Sequence, residues 1–255
     1  MNHPMPTVQA SRSIEAYERA YLASDFEPVQ VQMRKRMLVA LLERQAPRRI
    51  LEVGCGTESL FGCMGEFDEF VVVEPGVGFA EKARQDAAGN PRIRVVEDFI
   101  ETAAPALAGR RFDLIVVSGL LHEVTDPAAV LKGLHRLCDD RTVVHVNVPN
   151  ARSLHRLLAL EMGLIDALPQ LSDRQKTLQQ SRTFDMEGLI CLSEQCGFRV
   201  AEQGSYFIKP FTHRQMADLQ AGGFLDDRMI DGLYGLERHL PGLGSEIYVN
   251  LERCA

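Results

Sequence analysis

Ile50–Gly62 reads ILEVGCGTESLFG. An apolar run that ends in Glu-Val-Gly-Cys-Gly is a strand entering a sharp turn. Glycines at 54 and 56 permit positive φ and let backbone N–H groups approach a ligand with no Cβ in the way. The pattern predicts strand, turn and helix. Four further short apolar runs follow it: EFVVVEPG, RIRVVEDF, FDLIVVSG and RTVVHVNVPN. Each is too short for a typical helix, several are rich in Val and Ile, and stretches of helical spacing such as Pro127–Leu137 separate them. Continuous apolar strands alternating with helices predict a parallel sheet covered on both faces, a doubly wound α/β domain over residues 46–150.

On the amino-terminal side, Ser13–Gln45 carries apolar residues at helical spacing, among them Met37, Leu38, Leu41 and Leu42, with a break at Asp25–Pro28. Two helices covering the core are expected, making 1–45 an N-terminal helical cap. Residues 151–184 are polar and helical by turns with no strand-like run, which predicts a helical insertion after the fifth strand, at a strand end where long insertions are usually functional. Asp185–Gly197 reads as an amphipathic helix closed by glycine. Phe198–Phe211 and Ser245–Leu251 read as two last strands, able to pair antiparallel across a helical excursion at Thr212–Leu240. The expected fold is thus α/β, with a doubly wound, mostly parallel seven-stranded sheet over residues 46–255.

The chain has 255 residues, 45% of them hydrophobic and 25% charged, and a formal net charge of -7. That balance supplies a core and no electrostatic footprint for a nucleic-acid backbone or an anionic membrane. The six cysteines form no CxxC pair and have no histidines at zinc spacing, so no metal site is expected. No apolar stretch approaches the ~20 residues of a membrane span, and the first residues lack a cationic start followed by an apolar run. A cytoplasmic protein in a reducing compartment is expected.

Glu74 ends the second apolar run about 20 residues after the glycine turn, the separation at which an acid accepts the ribose hydroxyl protons of a nucleoside. Charge then separates the candidate nucleosides. A nicotinamide dinucleotide would set its pyrophosphate beside Glu52 and Glu58, at a cost of about 1 kcal/mol or more. S-adenosylmethionine has no phosphate and brings a sulfonium and an ammonium, which accept carboxylate neighbours. Glu58 then serves either as a cap on the following helix or as a partner of the ligand ammonium.

EVGCG, the acid in VVVEP, VVEDF after the third run and FDLIVVSGLLHEV at the fourth resemble, in order and spacing over residues 48–150, the class I S-adenosylmethionine-dependent methyltransferases. The resemblance implies that Glu52, Gly54 and Gly56 line the methionine part and that Glu74 holds the ribose. It also implies that Asp98 accepts from the adenine amine with Phe99 beside the ring, and that Ser118 and Gly119 lie under the sulfonium. The chain departs from the pattern at Glu58, where a small residue is usual.

The acceptor half is less sharply written. His122, just past the fourth strand in SGLLHEVTDP, sits where an imidazole could take the proton of an acceptor hydroxyl; a local hydrogen bond that orders the loop is the alternative. His155, in NVPNARSLHR, is a second candidate base. Asn147, Asn150 and Arg156 in the same stretch suit a polyhydroxylated or phosphorylated acceptor, and Arg182, Lys209 and His213 could complete an anion pocket. The stretches NVPNARSLHRLLALEMGLI, FIKPFTHRQM and GSEIYVN are similar to methyltransferases of bacterial sugar and surface-polysaccharide pathways. That similarity implies a small-molecule acceptor, a sugar or nucleotide-sugar, with O-methylation ahead of N- or C-methylation. Two other readings of the same loop are a nicotinamide-dependent oxidoreductase and a cofactor-binding scaffold without catalysis.

Overall fold

The computed structural model describes residues 14, 26–171, 175, 176 and 180–254. The first of the two helices expected in Ser13–Gln45 falls almost wholly outside the described residues. The second is α1, Glu27–Gln45, with a proline in its first turn and its end turned by Ala46 in the left-handed region. Strands and helices then alternate: β1 Arg49–Val53, β2 Glu69–Val73, α2 Val77–Asp86, β3 Ile93–Val96, α3 Ile100–Leu107, β4 Leu114–Ser118, α4 Pro127–His135 and β5 Val143–Pro149. After α5, Leu154–Glu161, come α6 Met186–Gln195, β6 Phe198–Tyr206, α7 His213–Ala221, α8 Asp227–Gly235 and β7 Glu246–Arg253. Helix starts are set by side chains: Asp126, Asp185 and Asp226 each accept a backbone N–H of the first turn, and Thr212 with Gln215 forms a capping box.

The seven strands form one sheet in the order β3-β2-β1-β4-β5-β7-β6. β1 to β5 pair parallel, while β7 runs antiparallel to both β5 and β6. The sheet is therefore mixed, where a mostly parallel one was expected. The expected pairing of the last two strands is present, but β7 lies between β5 and β6, so its direction breaks the parallel array on two sides. The change of direction carries the first residue of β7 to the edge where β5 ends, with Glu246 opposite Pro149.

Alternation along the central strands divides the core. Leu51, Val53, Ile115 and Val117 face α3, α4 and α6, whose contributions include Leu107, Leu131, Leu134 and Leu189. Ile50, Leu114 and Val116 face the other way, toward Leu38 and Leu41 of α1, Ala83 of α2 and Met216 of α7. Glu52 shares the parity of Ile50, so a carboxylate enters the face that α1 covers.

Candidate active site

From β1 the chain runs outward through β2 and β3, then returns to β4 on the other side of β1. The carboxyl ends of β1 and β4 thus border a topological switch point, where open α/β sheets hold their ligands. A cavity of about 600 Å³ opens there.

One half is acidic and built on glycine. Gly54 and Gly56 both have positive φ, and a Cβ at Gly56 would meet no atom within 4 Å, so the loop leaves an open cradle. The expected helix after the turn is a four-residue 3-10 helix, Leu60–Cys63. Glu52, buried beneath the loop, accepts from the Ser59 hydroxyl and from the Leu60 amide at 3.2 Å, and so does the capping that a longer helix start would need. Burial pushes the Glu52 carboxyl up to about 8; the Ser59 and Leu60 bonds oppose the rise and the neighbouring Glu74 adds to it. Glu74 is also buried, and its two oxygens accept from Gly76 at 2.8 Å and Gly56 at 3.2 Å. Glu58 neither caps nor enters the interior: it is exposed and pairs with Lys35 of α1 at 2.9 Å. Ser118, at the end of β4, presents a buried hydroxyl with no hydrogen-bond partner among the described residues, and it lines the cavity. Two buried carboxylates, an open glycine turn and an orphan hydroxyl fit a nucleoside that carries positive charge and no phosphate.

The Glu52 shift makes stability depend on pH. A carboxyl with a raised folded pKa holds its proton in the folded state while the unfolded chain has released it. Its contribution to stability is therefore fully present below the ordinary 4.5 and is lost as pH rises through the window to about 8. Urea unfolding of the ligand-free protein is expected to show that decline, and Glu52→Gln is expected to flatten it. An identical slope in the variant would assign the decline to other groups.

The other half is a chain of paired charges. Glu27, Gln30 and Arg34 occupy one face of α1 at i, i+3 and i+7 and line the cavity. Arg34 donates to Glu246 from Nε at 3.1 Å and from Nη2 at 2.5 Å. Gln30 Nε2 at 3.0 Å, Asn147 Nδ2 at 2.7 Å and the Tyr206 hydroxyl also donate to Glu246. Burial would raise the Glu246 carboxyl, but the Arg34 charge and bonds, with Tyr206, hold it below its ordinary value. A Cβ on Gly119 would stand 3.6 Å from the Arg34 Cζ, so the guanidinium lies against the turn that follows β4. Glu27 Oε1 is 3.9 Å from Arg34, and Glu27 Oε2 is 3.6 Å from His213 Nε2. His213 Nδ1 is in turn 2.7 Å from the ammonium of the buried Lys209.

Most residues marked in the sequence meet here: Glu52, Gly54, Gly56, Glu74, Ser118, Gly119, His122, Asn150, His155, Arg156, Lys209 and His213 all line the cavity. His122 is buried, 3.5 Å from Glu123, and His155 Nδ1 is 3.0 Å from the Ser153 hydroxyl. Asn150 faces the cavity while its amide is bonded to the carbonyls of Gly242 and Gly244. Four lie outside the lining. Asn147 is buried inside the sheet, bonded to Glu246, and Arg182 is half-buried with its guanidinium on the Thr125 carbonyl. Asp98 accepts from the Phe99 amide at 2.8 Å and Phe99 is exposed, both at the carboxyl end of β3, one strand beyond Glu74. The residues not anticipated are Glu27, Gln30, Arg34, Tyr206, Ser245 and Glu246. A polar stripe at i, i+3 and i+7 on the otherwise apolar α1 was the available signal.

The sheet order, with an acidic glycine turn at its switch point, is the arrangement that the comparison with known families identifies. A family model described as a methyltransferase domain matches residues 26–203. The chain belongs to that family and is an S-adenosylmethionine-dependent methyltransferase, and the oxidoreductase and scaffold readings give way. Among solved structures it is similar to the plantazolicin methyltransferase BamL, crystallised with a triazolic desmethylPZN analog and SAH, at 14% identity, TM-score 0.56, 95% of this chain and 98% of that one. It is similar to the N-methyltransferase NodS from Bradyrhizobium japonicum in complex with S-adenosyl-L-homocysteine, at 12% identity, TM-score 0.57, 94% of this chain and 97% of that one. The cyclase SpnF matches at 15% identity and TM-score 0.56, over 87% of this chain and 81% of that one. At such identities the likeness is one of fold. No curated protein sequence matches significantly. Among the described residues no helix is long and apolar enough to cross a membrane.

Proposed function

We propose that the enzyme methylates a hydroxyl of a sugar or nucleotide-sugar. The observation that carries this reading is the lining opposite the cofactor half: paired charges and amides from α1, the β5 end and β7 offer both donors and acceptors, as a polyhydroxylated acceptor requires. Residues 46–255 form the catalytic domain in this reading, with 1–45 as its cap and 151–184 as an acceptor-side insertion. Its six free thiols suit a cytoplasmic setting.

S-adenosylmethionine supplies a methyl group on a positively charged sulfur. Glu74 is assigned to the ribose hydroxyls, Glu52 with the Gly54 and Gly56 turn to the ammonium end, and Ser118 and Gly119 to the sulfur. The half-buried Asp98 and the exposed Phe99, at the same edge, are assigned to the adenine. Asn150, Lys209 and His213 hold the acceptor, with Asn147 and Arg182 supporting the wall from behind. Transfer is in line, helped chiefly by holding the two reactants in near-attack geometry. His122 or His155 takes the hydroxyl proton.

Two measurements test this. With a panel of sugars and nucleotide-sugars, methyl transfer is expected from the wild type, and alanine at the true base, His122 or His155, is expected to lower kcat by about 100-fold or more while the protein stays folded. Unchanged kcat in both variants would mean that positioning alone drives the reaction. Placing an ammonium beside Glu52 also favours its carboxylate, so cofactor binding at neutral pH is expected to release a proton. The binding enthalpy should then vary with the ionisation enthalpy of the buffer, and should not do so in Glu52→Gln.

A further inference from the structure

We propose that the acceptor carries an anionic group, phosphate or carboxylate, which docks against Arg156; the proposal rests on the acceptor occupying the cavity half described above. Arg156 is 8% exposed and lines the cavity. Its Nε donates to the Ala151 carbonyl at 3.2 Å, Nη1 to the Gln175 side-chain oxygen at 3.2 Å, and Nη2 to the carbonyls of Leu168 and, at 2.6 Å, Gln170. All four partners are neutral, and among the described residues Arg156 makes no ion pair. Four of the five guanidinium N–H donors are used, which leaves one on Nη1.

The carboxylates of the same half are differently placed. Glu246 is met by Arg34 and Glu123 by His122, while Glu27 lies between Arg34 and His213. Among the described residues Arg156 is thus a buried cation with no carboxylate to balance its charge. Carbonyl dipoles satisfy its hydrogen bonds but not its monopole, and burial lowers its pKa accordingly. A ligand anion with access to Nη1 would supply the missing charge and a charge-assisted bond. A second feature of the same wall points to a ligand. The Gln180 side-chain oxygen is buried and lines the cavity with no hydrogen-bond partner among the described residues, so it calls for a donor such as a ligand hydroxyl. An anion and a hydroxyl on one molecule describe a sugar phosphate or a sugar acid.

Calorimetry on the full chain saturated with S-adenosylhomocysteine tests this, with glucose 1-phosphate, glucuronate and methyl glucoside as probes. At least one anionic sugar is expected to bind tenfold or more tightly than the neutral one, and the preferred one names the anion. Arg156→Met is expected to abolish that preference, and Arg156→Lys, which keeps the charge but cannot reproduce the four carbonyl bonds, to retain a threefold preference or more. A purely structural role would weaken all three probes alike. Equal affinities in the wild type, or a preference that survives Arg156→Met, overturn the proposal. Should Arg156→Met fail to fold, salt decides: affinity for the anionic sugar falling with added sodium chloride while that for methyl glucoside holds supports the proposal, and equal salt response overturns it. If no sugar binds, the sugar reading fails on its own and inorganic pyrophosphate becomes the probe. Saturable pyrophosphate binding that Arg156→Met removes then supports the anion site, and its absence overturns it.

Discussion

Glu74→Ala is expected to weaken S-adenosylhomocysteine binding by roughly two to four orders of magnitude, since two charge-assisted bonds to ribose hydroxyls are worth about 1.5–3 kcal/mol each and each 1.4 kcal/mol is about tenfold. The carboxylate is buried at the end of β2 and already accepts from Gly56 and Gly76, which fixes its plane before any ligand arrives. The same two bonds join the glycine turn to the β2 end, so the variant is expected to lose about 1–2 kcal/mol of stability as well. Glu74→Gln keeps one oxygen and is expected to fall between the two. Calorimetric affinities that differ by less than fivefold between wild type and Glu74→Ala would move the ribose elsewhere.

Glu246→Ala is expected to produce the largest loss of stability, about 3–5 kcal/mol by urea unfolding. Removing that carboxylate leaves the Arg34 guanidinium half-buried without its bidentate partner and takes the acceptor from Gln30, Asn147 and Tyr206 at once. Simple loss of packing would be additive with loss of Arg34. Here the Arg34→Met, Glu246→Ala double variant is expected to be less destabilised than the sum of the single variants, by about 1–3 kcal/mol. Additive effects would show that the pair is not coupled. Because Arg34 lies against Gly119, turnover is expected to fall in Glu246→Ala at temperatures where the variant is still folded.

That Glu52, Gly54, Gly56 and Glu74 would line one cavity was legible because they are local. They lie within two adjacent strands and the turn between them, and Ser118 and Gly119 end the strand on the other side of β1. Periodicity and one charge argument sufficed there. Glu58 was misplaced in that argument: Lys35, from α1, pairs with it at the surface, and the acids that line the interior of the turn are Glu52 and Glu74. The opposite half of the cavity was hard to read because it is assembled from α1, the β6 end and the β7 start. Arg34 and Glu246 are 212 residues apart in the chain, and no local pattern links them. Lys209 and His213 were singled out on residue type, whereas Glu27, which faces His213, was not, since an isolated acid reads as surface charge. The expectation of a mostly parallel sheet failed on the same point, because strand order and direction depend on which edges are free once β5 is in place.

The reversed direction of β7 has a practical meaning for engineering. Everything from the end of β6 to the start of β7 leaves the sheet and returns to it at the ligand edge, while the glycine turn and Glu74 are held by β1, β2 and β4. The connection between Phe207 and Gly244 supplies Lys209 and His213 to the cavity wall and Met216, Leu225 and Ile230 to the core at once. Exchanging it as a unit is therefore expected to reshape the cavity without unfolding the sheet only where the graft keeps apolar residues at those three core positions.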